Sequence, residues 1–202
     1  MKRAISILLV LLIALSLVPA SFAASAVPAP VINAVKSVVR IGADYPDGTM
    51  TGSGFVIKND GYETLIATNH HVVDGTPYEI YIWYNDAIID AQILADSAER
   101  DIAILRLDKC INAEALSIDS DAQLGEAVYG IGFPGAADAL SDYMAISSDD
   151  ATLTDGIISA IRKLTIELGG RTVHLIQTNA DINSGNSGGP LLNEDGEVLG
   201  IK

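Results

Sequence analysis

The chain has 202 residues, 49% apolar and 19% charged, a composition that suits one globular domain with a real core and excludes a disordered one. Its formal net charge is −14, from 12 basic against 26 acidic side chains, which excludes a nucleic-acid partner because phosphate binding wants clustered Lys and Arg. The single cysteine, Cys110, excludes an internal disulfide, so the fold has to hold by packing.

The elements begin with a leader over 1–23. Lys2 and Arg3 form a positive n-region, Ala4 to Val18 an apolar run, and Ser21-Phe22-Ala23 a small-x-small cleavage site. Its removal leaves 10 basic against 26 acidic side chains, or −16, the balance of a soluble exported protein (periplasmic or extracellular). The run is shorter than the roughly 20 residues that cross a bilayer, so a membrane contact would require an uncleaved leader acting as an anchor.

Residues 24–30, with Pro28-Ala29-Pro30, read as a linker that does not readily join a helix, and Val31 to Lys36 as one or two helical turns. Short β-rich segments cut by turn residues follow: Ser37–Ile41, Gly54–Lys58, Glu63–Thr68, Tyr78–Tyr84, Ala87–Leu94 after an Asn85-Asp86 turn, and Ile102–Leu107. Strands are also predicted at Ala127–Ile131, Thr152–Ile161, Leu164–Leu168, Arg171–Thr178 and Glu197–Ile201, with Gly169-Gly170 as a hairpin turn. The polar stretch Gly135 to Asp150 is long enough to be functional or mobile. The spacing is that of an all-β sandwich or barrel.

Three segments carry chemistry. Thr68-Asn69-His70-His71-Val72-Val73 closes one strand, Asp101 opens the buried strand Ile102–Leu107, and Gly185-Asn186-Ser187-Gly188-Gly189-Pro190 surrounds a serine with residues that permit unusual backbone conformations. A serine is a weak nucleophile without a base and a site for the developing oxyanion. The order His, Asp, Ser is that of the chymotrypsin-type fold, and only fifteen residues follow Ser187, too few for the order used by α/β-hydrolases.

With Gly52-Ser53-Gly54-Phe55-Val56-Ile57, Gly125-Glu126-Ala127-Val128, Gly130-Ile131-Gly132-Phe133-Pro134, Asp155-Gly156-Ile157-Ile158-Ser159 and Gln177 to Ser184, these segments resemble the HtrA-type (DegP-like) branch of the trypsin-like serine proteases over about Val31 to Lys202. The resemblance implies two six-stranded antiparallel β-barrels, the first about 37–111 and the second about 124–202, within a protease domain over 31–202. It implies His71 as general base, Asp101 as its orienting acid, Ser187 as nucleophile, and the N–H groups of Gly185 and Ser187 as oxyanion hole. The implied activity is serine-type endopeptidase on polypeptide substrates, in quality control of exported proteins, without cofactor or metal. Oligomer formation would run through segments outside this chain.

Asp181 stands six residues before Ser187, where trypsin-like enzymes place the base of the primary specificity pocket. HtrA-type pockets usually favour small aliphatic side chains, so an acid there is a departure. It either biases the pocket toward Lys or Arg or is a solvated loop acid, and buried acids need a partner. His70 is read as structural, since adjacent His70 and His71 lack the spacing of zinc motifs. Cys110 and His174 are read as ordinary core or surface residues. The family continues past Gly200-Ile201-Lys202 with a further strand, a helix and often PDZ domains, so the second barrel is expected to be incomplete and the chain a fragment. The rival readings are a non-catalytic peptide-binding or chaperone-like module on the same fold, and an esterase using the same three residues.

Overall fold

The computed structural model describes residues 26–135, 147–166 and 171–202. The leader, most of the Gly135–Asp150 stretch and the Gly169-Gly170 turn lie outside the described residues. Among those described, no helix is long and apolar enough to cross a membrane.

One short helix, α1 (Ala29–Ala34), precedes the strands. The expectation that Pro28-Ala29-Pro30 does not readily join a helix is corrected here: Pro30 falls in the first turn of the helix, where a missing N–H removes no intrahelical bond. Val31 and Ala34 point inward, and a 3₁₀ turn over Val35–Ser37 delivers the chain into the first strand.

The first sheet contains β1 (Val38–Tyr45), β2 (Gly48–Asn59), β3 (Thr64–Thr68), β4 (Glu79–Tyr84), β5 (Ala87–Asp90), β6 (Gln92–Ser97) and β7 (Ile102–Leu107) in the order β5-β4-β1-β2-β3-β7-β6, all pairs antiparallel. Its two ends, β5 and β6, are one run of chain interrupted only at Ala91, whose N–H bonds the Ile80 carbonyl at 2.8 Å. The sheet therefore closes on itself through that bent strand, and the six expected strands are the seven observed with β5 and β6 counted together. Asn85 and Asp86 turn β4 into β5 with φ of 47° and 62°, the left-handed pair a tight hairpin needs.

The second sheet runs β10 (Arg171–Thr178), β9 (Thr152–Ile166), β8 (Ala127–Gly132), β11 (Pro190–Leu192), β12 (Val198–Ile201), again antiparallel. It has five strands among the described residues rather than six and stays open, as the expectation of an incomplete second barrel required. The two strands read at Thr152–Ile161 and Leu164–Leu168 join into the 15-residue β9.

Period-two patterning divides the core. On β1, β2 and β3, Val39, Ile41, Ala43, Val56 and Ile66 fill the first barrel. Their opposite-facing neighbours Val38, Phe55 and Ala67 meet Tyr129, Ile131 and Leu192 of the second sheet and Phe133 just past β8, with Val31 and Ala34 of α1. β1, β2 and β3 are thus buried on both faces where Val38-Val39, Phe55-Val56 and Ile66-Ala67 pass between the two cores. The loops that carry His71, Asp101 and Ser187 emerge where these two cores meet.

Candidate active site

The register of β3 and β7 brings His71 and Asp101 together. Thr68 pairs with Ala103, so the residues just past the end of β3 face those just before β7. Asn69 leads into a 3₁₀ turn over His70–Val72, and its Nδ2 donates to the Asp101 carbonyl at 2.9 Å. Asp101 sits in the left-handed region, φ 52° and ψ 48°, a conformation that Asp adopts more readily than most residues. That turn aims both carboxylate oxygens at His71. Oδ1 accepts from the His71 backbone N–H at 2.9 Å, and Oδ2 lies 2.7 Å from Nδ1. A carboxylate only accepts, so Nδ1 carries the proton and the lone pair is left on Nε2. Both side chains stay about half exposed.

His70 takes a different set of partners. Its Nδ1 lies 3.0 Å from Asp96 Oδ2 and its Nε2 3.3 Å from Asp74 Oδ1. Neighbouring histidines thus diverge, one to Asp101 and one to the β6 edge.

The Ser187 loop is built against β2 and the end of β3. Gly188 has φ +86°, and a Cβ there would stand 2.2 Å from both the Ser53 carbonyl oxygen and Thr68 Oγ1, so only glycine lets the loop touch β2 and the end of β3. Ser53 spans the interface. Its N–H donates to the Ser187 carbonyl at 2.8 Å and its Oγ to the Gly185 carbonyl at 2.8 Å, and that Oγ accepts from Phe133 N–H at 2.9 Å. Its carbonyl accepts from Thr68 Oγ1 at 2.7 Å.

The loop's own amides divide in two. The N–H groups of Asn186, Gly188 and Gly189 donate to the carbonyls of Asn183, Lys202 and Asn186 at 2.9–3.0 Å, whereas those of Gly185 and Ser187 have no bond among the described residues. Gly185 is at φ +96°. Two unspent donors, two residues apart on a loop whose carbonyls are tied down, are what an oxyanion requires.

Residues 52–201 match the family model of the trypsin-like peptidase domain. The chain belongs to that family. Among relatives of this trypsin-like domain, the serine protease Do-like HtrA of Bacillus subtilis is 33% identical over 156 residues, covering 75% of this chain and 32% of that protein. The probable periplasmic serine endoprotease DegP-like of Halomonas elongata is 40% identical over 154 residues, covering 74% and 28%. The solved HtrA-type protease AlgW with tripeptide superposes with a TM-score of 0.68 at 28% identity, covering 85% of this chain and 52% of that one. The resemblance to the HtrA-type branch is thereby borne out. The chain spans about a third of the length of the first two relatives.

Several features of this trypsin-like domain were not legible from its motifs. Ser53 was part of a matching stretch without a role; a small polar residue between glycines inside an apolar strand was its only signal. Asp181 has an exposed side chain, while its carbonyl accepts from Thr154 Oγ1 at 3.1 Å. Asn186 is fully buried with neither side-chain atom bonded among the described residues, and Lys202 Nζ is likewise buried without a hydrogen-bond partner there. His174 is exposed on β10, and Cys110 is an exposed free thiol. A cavity of about 560 Å³ lined by Asn33, Lys36, Asn59 and Asn112 includes none of His71, Asp101 and Ser187.

Two outcomes follow from these contacts. Gly188→Ala should cost about 3 kcal/mol or more, because the Cβ meets backbone that cannot withdraw and the left-handed φ adds strain; urea unfolding measures it, and an unchanged midpoint would show that the loop can retreat. Burial pulls the Lys202 ammonium down to about 8. The unfolded chain then binds more protons than the native one between about pH 8 and 10.5, so stability rises with pH across that window. Below it the charge is fully penalised, by about 3 kcal/mol for a shift of this size. Lys202→Met should remove the slope and raise the midpoint at pH 7; parallel melts of the two proteins at pH 7 and 10 read the difference.

Proposed function

We propose that this chain is the protease domain of an exported serine endopeptidase that cleaves peptide bonds through an acyl-enzyme. The observation that carries the reading is the two-point grip of Asp101 on His71, 2.9 Å and 2.7 Å, beside a serine loop with two unspent amides. In the proposed chemistry Ser187 Oγ attacks the substrate carbonyl while its proton passes to His71 Nε2. Asp101 holds the imidazole in that tautomer and stabilises the imidazolium. The oxyanion is received by the N–H groups of Gly185 and Ser187, each supplying on the order of 10²–10³ in rate. The imidazolium then returns its proton to the leaving amine, the amine departs, and water repeats the sequence on the ester. Asp181 lies at the base of the pocket for the residue before the scissile bond.

The leader over 1–23, a linker over 24–30 and a protease domain over 31–202 complete the reading, with misfolded exported polypeptides as the substrate class. That class rests on analogy with HtrA-type proteins and is supported by the periplasmic relative.

Fluorophosphonate labelling tests the chemistry. Labelling of the wild-type chain that disappears in Ser187→Ala and in His71→Ala is expected. A chain that never labels would favour the peptide-binding module, and labelling with ester but no peptide hydrolysis would favour the esterase.

A further inference from the structure

Two polar side chains with no hydrogen-bond partner among the described residues, Asn186 and Lys202, sit behind the Ser187 loop against the glycine face of β8. Gly130 and Gly132 are two residues apart and so face the same side. A Cβ on Gly130 would stand 3.0 Å from Lys202 Nζ and 3.0 Å from Thr154 Oγ1; one on Gly132 would stand 2.8 Å from Asn186 Oδ1. Neither the ammonium nor the Asn186 amide has a hydrogen-bond partner among the described residues. Lys202 is also held at the nucleophile loop by its backbone: its carbonyl accepts from Gly188 N–H at 2.9 Å and its N–H donates to the Gly189 carbonyl at 3.0 Å. Its side chain passes Gly189, with Cε 3.2 Å from where that residue's Cβ would be. Thr154 Oγ1, on the same side of Gly130, reaches the Asp181 carbonyl. Lys202, Gly130, Thr154 and the Asp181 segment thus bound the space beside Ser187.

From this we infer that Lys202 makes the site select substrates with an acidic side chain, Asp or Glu, on the residue that donates the scissile carbonyl. The inference deepens the endopeptidase reading and rests on it for the position of that residue. An acyl group on Ser187 directs its own side chain toward the space beside the loop, and the missing side chains of Gly130 and Gly132 let the Lys202 ammonium lie against β8 there. A carboxylate arriving there meets an ammonium with no hydrogen-bond partner among the described residues. Asp181 carries the opposite charge, but its carboxylate is exposed and screened by water, whereas the ammonium is buried. The buried charge therefore sets the preference. The depression of the Lys202 ammonium toward neutrality by burial marks the partner it lacks.

Binding to the full 202-residue Ser187→Ala variant tests this without requiring turnover. Fluorescent peptides identical except for Glu, Val or Arg at the one position are titrated by anisotropy. Glu should bind at least tenfold tighter than Val or Arg, and Lys202→Met or Lys202→Gln added to the Ser187→Ala background should erase that margin, with circular dichroism confirming the fold. Equal binding of all three, absence of binding by any, or a Glu margin that survives both lysine substitutions overturns the inference. If the wild type neither labels nor cleaves while the Glu margin still depends on Lys202, the endopeptidase reading falls and the acid-selective site stands. Cleavage without any acid preference leaves the reading and removes the site.

Discussion

Ser187→Ala should lower kcat for peptide hydrolysis on the order of 10⁶-fold, and adding His71→Ala should cost almost nothing more. In the proposed chemistry the two side chains act as one unit. His71 Nε2 has no proton to accept once the hydroxyl is gone, and the hydroxyl has no base once the imidazole is gone. What remains in either variant is positioning and the two free amides of Gly185 and Ser187, on the order of 10³–10⁴ over water. The measurement is kcat for Ser187→Ala, His71→Ala and the double variant on one peptide substrate. Losses that add would mean that the two residues serve separate steps, and the proposed base would have to be sought elsewhere.

Asp101→Asn should reduce kcat on the order of 10⁴-fold while leaving the fold intact. The carboxylate uses both oxygens on His71, one for the backbone N–H and one for Nδ1. An amide offers one acceptor and one donor in the same space. If its oxygen keeps the His71 backbone N–H, its NH₂ faces Nδ1, which must then become the acceptor. The proton moves to Nε2 and the base is lost. The loss should appear in kcat at fixed peptide concentration with little change in melting temperature. A loss below tenfold would show that the half-exposed imidazole finds the right tautomer through water.

Much of this architecture could be read before any coordinates. β7 and β10 were legible to the residue because apolar or β-branched runs are bounded on both sides by turn or charged residues. The bend that converts one strand into β5 and β6 was not, because Ala91 carries no signature that separates it from its neighbours. The helical entry at Pro30 was misread by treating proline as a barrier, when its cost depends on where in the helix it falls. At the site, motif spacing picked out Asp101, but its left-handed backbone and two-oxygen grip depend on β3–β7 register, which no local pattern encodes. Choosing His71 over His70 likewise rested on resemblance. The structure adds a physical distinction, since only His71 meets Asp101 while His70 lies between Asp74 and Asp96. Ser53 and Lys202 act through residues more than a dozen positions away, and their importance becomes visible only when the chain is folded.

Three of the four hydrogen bonds described for Ser53 cross from the first barrel to the second, and two of them end on carbonyls of the serine loop. The loop's shape is therefore a property of the docked pair and not of the barrel that carries it. Under the proposed chemistry, a half-opened molecule in which the barrels have parted but neither has melted would have lost its catalyst. Hydrolytic power would then be the last thing to arrive during folding and the first to leave on unfolding. A nascent or damaged copy would be unable to digest its neighbours at the moment when its own strands are most open to attack.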